Sequence, residues 1–490
     1  MFLRIKQLLL QNKSAKQTVA KNMFWLSFGQ IMSRVIKALI IIYAARRLGV
    51  ESYGIFSYAL GLSALFSILA DAGLSSILTR EASRSEGWLE KTVGTAFSIK
   101  LSLTAFSFAL VAFIAPFFST VSGTVALMPL AALLIVFDTM RDFAFSITRA
   151  KERMEIEAAI SLTTGIGITI FGFGALWLSP NPMSLMLGYV IGSALGFFLA
   201  AFLLRKYIAH LWKNFDWTLA KQMVREAMPF ALMGLLGALT INIDTIMIGW
   251  LRSAKEVGFY SAAQRPVLLI YMISSLLSTS VFPIIAKLAR KENERVRIIL
   301  EKTVSISILI ALPIFVGGAV LSQQIVSFLF GAEYITIAST FTALLFTIIL
   351  LFPFSIILNA LFAYNEQKIL VISTAIGGIG NIVLDYLLIP AFGILGSAFA
   401  TVISQTLAYG FAWEKMKRIN NFYTLRHIKK GVVASIAMGI ISYALSLAGI
   451  HVIINIVISA LAYLGILMLL KEKLIKESLE VFKIVEPKAL

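Results

Sequence analysis

Long apolar runs separated by short polar connections recur from one end of the chain to the other, the first being "NMFWLSFGQIMSRVIKALIIIYAA" at 22–45. Each run suits a helix that crosses the ~30 Å hydrocarbon layer in about 20 residues. Transmembrane strands, which alternate in polarity over about ten residues, do not fit such continuous runs. The pattern predicts fourteen spans, near 23–45, 53–78, 92–115, 124–145, 157–178, 183–204, 228–250, 259–286, 303–321, 336–362, 368–389, 394–413, 431–449 and 451–470. Only "AGIHVI" parts the last two, so that region reads either as two spans or as one re-entrant segment. The expected fold class is an all-α polytopic membrane protein.

Composition agrees. The 490 residues are 59% hydrophobic and 14% charged, whereas soluble domains are roughly half apolar and a quarter charged. A net charge of +18 invites a nucleic-acid reading, but the basic residues sit in alternate connections, which argues instead for a chain threaded through a membrane with no nucleic-acid partner. The N-terminal segment carries Arg4, Lys6, Lys13, Lys16 and Lys21, and even-numbered connections carry "KLARKENERVR" (287–297) and "KMKRINNFYTLRHIKK" (415–430). The basic residues of odd connections are Arg46, Arg47, Arg252 and Lys255. Because Lys- and Arg-rich short loops stay in the cytoplasm, both termini are expected there, in the cytoplasmic (inner) membrane. The chain has no cysteine, which excludes disulfides, thiol catalysis and thiolate metal sites. No cleavable signal peptide is evident, and residues 1–22 read as a basic cytoplasmic tail lying on the membrane through Phe2, Leu3, Ile5, Leu8 and Leu9.

An internal repeat organises the spans. "AARRLGVESYGIFSYALGL" (44–62) is echoed by "GWLRSAKEVGFYSAAQRPV" (249–267), with 204 residues separating Gly54 from Gly258 and Ser57 from Ser261. A second match sets "RAKERMEIEAAISLTTGIGI" (149–168) against "FAYNEQKILVISTAIGGIGN" (362–381). Helices one and five thus recur as seven and eleven. Six being even, both copies keep one orientation, so an axis along the membrane normal relates them, with a substrate site expected between them near the midplane. The organisation read from this is a tail (1–22), an N-lobe (23–204), a cytoplasmic linker (205–227), a C-lobe (228–413), helices thirteen and fourteen (414–470) and a C-terminal tail (471–490).

Charges inside the spans supply the candidate chemistry. Ser27, Gln30, Arg34 and Lys37 lie three or four apart and form one stripe on helix one. Ser57, Gly61, Ala64, Ser67 and Asp71 do so on helix two, and Ser261, Gln264, Arg265, Tyr271, Ser275 and Thr279 share a face of helix eight, which Pro266 bends. Helix seven offers Thr240, Asn242 and Asp244. Together these faces point to a common hydrated cavity. A charge at the centre of a membrane helix costs about 2.5–3.5 kcal/mol on insertion scales, so Arg34 and Lys37 need a reason. They either pair with Asp244, or with Arg265 they form an anion site, an Arg fork and a compact Lys charge being suited to phosphate or carboxylate. Gln30, Asn242, Gln264 and Tyr271 are the expected polar lining. Lys100 is expected to snorkel to the cytoplasmic surface, and Asp71 and Asp138 to cap helices or pair with basic loops. Any of Asp71, Asp138 and Asp385, the last nearer the outer end, and Asp244 above all, is a candidate for a coupling proton or sodium ion; no other cofactor is expected. His210, His427 and His451 stand far apart, and there is no "GxxxxGK[ST]" loop for ATP.

The run "ARRLGVESYGIFSYALGLSALFSILADAGLSSILTREASR" (45–84) resembles the signature region of the polysaccharide-biosynthesis transporters, the Wzx-type oligosaccharide flippases, and "NIVLDYLLIPAFGILGSAFATVIS" (381–404) resembles that family's junction of helices eleven and twelve. This likeness places the chain in the multidrug/oligosaccharidyl-lipid/polysaccharide (MOP) exporter superfamily, alongside the MATE antiporters. It implies two six-helix lobes in a V, rocking by alternating access, plus two C-terminal helices that could form a lipid-tail groove. It also implies a polyprenyl-diphosphate oligosaccharide as substrate, a monomer, and other polysaccharide-assembly proteins as partners. The competing class is an ion-coupled exporter of organic cations of the MATE type, which a net cationic cavity disfavours. A membrane polymerase or glycosyltransferase would need a large outer loop and a carboxylate cluster, and the chain is not expected to be an enzyme.

Overall fold

The computed structural model describes residues 15–83, 89–208, 215–423 and 425–472. The apolar tail residues Phe2 to Leu9, His210 and most of the C-terminal tail lie outside these. Over the described residues the secondary structure is helical, and all fourteen anticipated spans are present, labelled α1 to α14 below; shorter helices are named by their residues.

A continuous helical stretch, Ala15–Asp71, holds α1 (15–48) and α2 (50–71). Between them Gly49 has φ 74° and ψ 170°, a combination that side chains other than glycine's rarely tolerate, and the chain turns there. Then come α3 (Leu89–Ala109), extended through a π turn to Phe118, α4 (Met128–Ala150), α5 (Met154–Leu178), α6 (Pro182–Leu203) and α7 (Trp217–Leu251). They are followed by α8 (Ala254–Leu288), α9 (Asn293–Val320) and α10 (Ala338–Ala363). Gln367–Ile419 divides into α11 (367–392) and α12 (394–419) at Gly393, whose φ of 58° and ψ of −140° repeat the device used at Gly49. The chain closes with α13 (Leu425–Leu447) and α14 (Val452–Leu469). These last two are separate helices, not one re-entrant segment.

By length and apolarity alone eleven helical stretches qualify as membrane spans. Two of them are the paired helices just described. The remaining helix, α4, falls short because Asp138, Arg141 and Asp142 interrupt its apolar run.

Several helices reach further than hydropathy indicates. Residues 217–227 were expected to belong to a linker, yet α7 begins at Trp217. Asp216 caps it by accepting from the backbone N–H groups of Thr218 and Leu219 at 2.9 and 3.0 Å. The extension "WTLAKQMVREA" buries Ala220, Met223 and Ala227, so it is amphipathic rather than apolar. Likewise α1 is already helical at Ala15, the first described residue, and Lys21, expected in the tail, is buried within it and paired with Glu155 of α5 at 3.1 Å.

The chain divides into two compact units, 1–261 and 262–490. In the first, α5 and α6 pack through glycines. A Cβ at Gly192 would stand 2.5 Å from the Ile168 Cα, and one at Gly188 2.7 Å from the Gly172 Cα. In a membrane, where lipid is as apolar as leucine, this closeness is what holds helices together. A bidentate pair, Arg149 with Glu157 at 2.6 and 2.8 Å, ties α4 to α5. In the second unit, Arg290 donates to the Tyr364 carbonyl at 2.6 Å, and the Tyr364 hydroxyl donates to Asn293 at 2.9 Å. Asn455 of α14 donates to the Ser442 carbonyl of α13 at 2.9 Å and accepts from the Ser442 and Ser459 hydroxyls.

Candidate functional site

The placement of Arg34 follows from how α1 is packed. Its Gly29, Ser33 and Ile40 face α5: a Cβ at Gly29 would meet the Ala158 Cα at 2.6 Å, one at Gly165 the Ser33 Oγ at 2.7 Å, and one at Gly172 the Ile40 Cγ1 at 2.8 Å. Thr169 of α5 donates to the Ile36 carbonyl at 3.1 Å. With that face sealed, the stripe beside it stays open. Gln30 and Arg34 are exposed, and Ser27 and Lys37 are half-buried. Arg34 forms no ion pair among the described residues.

Asp244 on α7 is 1% exposed and accepts a hydrogen bond from the Tyr260 hydroxyl of α8. Asn242, next to it, turns its amide back onto the Ala238 carbonyl at 3.1 Å. In the second unit, Tyr271 of α8 shares a hydrogen bond with Thr347 of α10, and the Nε of Arg265 is buried with no hydrogen-bond partner among the described residues. Gln264 is half-buried beside it. Arg34, Lys37, Asn242 and Asp244 thus belong to the first unit, and Gln264, Arg265 and Tyr271 to the second.

The expectation that Lys100 snorkels is overturned. Its side chain is wholly buried, its ammonium pairs with the Asp71 carboxylate, and it donates to the Ser75 hydroxyl at 3.1 Å; Ser75 in turn donates to Asp71. The reason is geometric. Asp71 ends α2, and Ala72 and Gly73, both at positive φ, turn the chain into the short helix Leu74–Ala82. The break delivers a carboxylate and a hydroxyl to the lysine, so its charge is neutralised in place.

Asp138, expected to cap a helix or pair with a basic loop, instead accepts from Arg141 at 2.7 Å and from Ser193 of α6 at 2.6 Å. Asp71, Asp138, Arg141 and Asp142 line a cavity of about 380 Å³ between α2 and α4. Three residues of the helix-two stripe, Ala64, Ser67 and Asp71, face it. Sequence spacing identified that stripe, but residues 29 positions apart on two helices cannot be paired from periodicity.

On α11, Asn381 and Asp385 stand one turn apart and are buried, and neither amide atom of Asn381 has a hydrogen-bond partner among the described residues. Among the described residues no group of three or more His, Asp or Glu side chains is placed to hold a metal ion.

The fold matches those of solved transporters. The solved lipid II flippase MurJ, in an inward closed conformation, matches over 92% of this chain and 99% of its own, with a TM-score of 0.76 and 20% identity. Residues 229–387 match the MatE family. Residues 19–289 match the family described as polysaccharide biosynthesis protein, and the chain belongs to that family. Among curated relatives, the probable low-salt glycan biosynthesis flippase Agl15 of Haloferax volcanii is 25% identical over 79% of this chain and 81% of its own length. The putative O-antigen transporter of Shigella flexneri is 23% identical over 80% and 96%. The likeness drawn from residues 45–84 is borne out.

Proposed function

We propose that this membrane protein is a flippase that moves a polyprenyl-diphosphate-linked oligosaccharide, a polysaccharide repeat unit, from the inner to the outer leaflet of the cytoplasmic membrane by alternating access. The observation that carries the reading is the open Arg34 and Lys37 stripe on α1. Two cations stand mid-helix, the adjoining face is packed on α5, and Arg34 is without a described carboxylate partner. A diphosphate supplies a counter-charge for Arg34, whose guanidinium is suited to bidentate phosphate contact, and Lys37 adds a compact positive charge on the same stripe. Arg265, whose Nε is buried with no hydrogen-bond partner among the described residues, is the candidate cation of the second unit; Gln30 and Asn242 in the first unit, and Gln264 and Tyr271 in the second, are the candidate polar residues. Names carried by the relatives, glycan flippase and O-antigen transporter, agree with this substrate class.

In this reading segments 23–204 and 228–413 act as the two lobes, and both termini are cytoplasmic. A proton or sodium ion held near Asp244 couples transport to a gradient, and the protein works as a monomer beside other polysaccharide-assembly proteins. Depleting it should leave lipid-linked repeat units in the cytoplasmic leaflet, shielded from probes added outside. Repeat units that still reach the outer face at the normal rate would refute the reading. The MatE match at 229–387 supports a second reading, export of organic cations coupled to an ion. Export of a cationic dye that falls when the protein is depleted, with repeat units unaffected, would favour it.

A further inference from the structure

The internal repeat brings two glycines against each other. A Cβ at Gly54 would lie well inside the van der Waals radius of the Ala254 carbonyl oxygen and 2.8 Å from the Gly258 nitrogen. A Cβ at Gly258 would intrude equally on the Val50 carbonyl oxygen and stand 3.1 Å from the Gly54 nitrogen. Val50 and Ala254 are separated by the same 204 residues as the two glycines, so each contact is the image of the other under the repeat. Both glycines lie in regular helical backbone, without positive φ. What they supply is therefore not conformational freedom but the missing carbon that lets α2 and α8 meet backbone to backbone.

One turn beyond each glycine stands a serine, also repeat-related: Ser57, 1% exposed, and Ser261, 2% exposed. The Ser57 Oγ is buried with no hydrogen-bond partner among the described residues. A buried hydroxyl left unsatisfied calls for a reason, and one consistent with its place on the polar stripe of α2 is that it meets water in another state of the protein.

We propose that the Gly54 and Gly258 contact is the outer closure of the transport path, a seam that must part in every cycle and that shuts fully only because neither residue carries a side chain. This rests on the alternating-access reading above and adds to it the place where the outer side closes.

The chain has no native cysteine, so Ser57→Cys gives a single reporter. It is labelled from outside intact cells with a membrane-impermeant maleimide. Labelling should be slow with both glycines present. It should rise about tenfold in Gly54→Ala or Gly258→Ala, which bias the population toward the parted state. Equal rates in folded alanine variants would overturn the proposal.

A second measurement leaves the glycines alone and decides the matter if the alanine variants do not fold. Cysteines replace the exposed Glu51 and Lys255, each one residue past a carbonyl partner, and a reducible bifunctional reagent joins them. Transport should stop when the bridge forms and return on reduction; transport unchanged by the bridge would also overturn the seam. The labelling experiment needs no substrate, so it judges the seam even if no lipid-linked saccharide is moved. Absence of flipping by the unbridged protein counts against the function alone.

Discussion

Removing one member of the Lys100 and Asp71 pair should be strongly asymmetric. The Lys100 side chain is 1% exposed and that of Asp71 33%, because Asp71 also lines the cavity between α2 and α4. Asp71→Asn leaves a wholly buried ammonium without its counter-charge, a loss of about 3–5 kcal/mol for a broken buried pair. Lys100→Met keeps the aliphatic packing and leaves a carboxylate that the cavity can hydrate and Ser75 still donates to. Its cost should be nearer 1–3 kcal/mol, the range for a polar group deprived of one partner. The double variant Asp71→Leu with Lys100→Met removes both charges and should be less damaging than Asp71→Asn, since well-packed apolar replacements of buried pairs are often neutral. Unfolding by SDS in mixed micelles, followed by tryptophan fluorescence, gives the three values. If Lys100→Met proves as harmful as Asp71→Asn, or the double variant worse than either, the argument from unequal burial is wrong.

Two further outcomes test the packing. Gly192→Val places a Cβ only 2.5 Å from the Ile168 Cα; overpacking should cost about 1–3 kcal/mol, lowering the thermal midpoint of the detergent-solubilised protein, and an unchanged midpoint would count against glycine-mediated packing of α5 on α6. Asn455→Leu removes the hydrogen bonds that join α14 to α13, a loss of about 1–2 kcal/mol for polar contacts between membrane helices. A thiol pair placed across α13 and α14 should then cross-link less efficiently, and equal efficiency would show that apolar contacts alone hold the two helices.

Hydropathy was sufficient for the number and order of the helices because lipid imposes a minimum apolar length that loops cannot imitate. It understated their ends. The first turns of α7, and "NERVRIILEK" at the start of α9, are amphipathic and look like connections until their buried residues are seen. The stripes on α1 and α2 were legible because spacing of three and four residues fixes a face. Which helix that face meets was not, and this is why Lys100 and Lys21 were assigned to membrane surfaces when each is buried against a carboxylate. The glycine register at 54 and 258 was visible as a repeat, whereas its meaning as a contact required the two backbones to be placed together.

The most direct test of the central claim is flipping itself. The purified protein is reconstituted in liposomes with a fluorescent polyprenyl-diphosphate oligosaccharide, and wild type is compared with Arg34→Ala and Lys37→Ala variants shown to be folded. Wild type should move the lipid between leaflets, and each variant should lose most of that rate. Variants that flip as fast as wild type would contradict the assignment of Arg34 and Lys37 to the diphosphate.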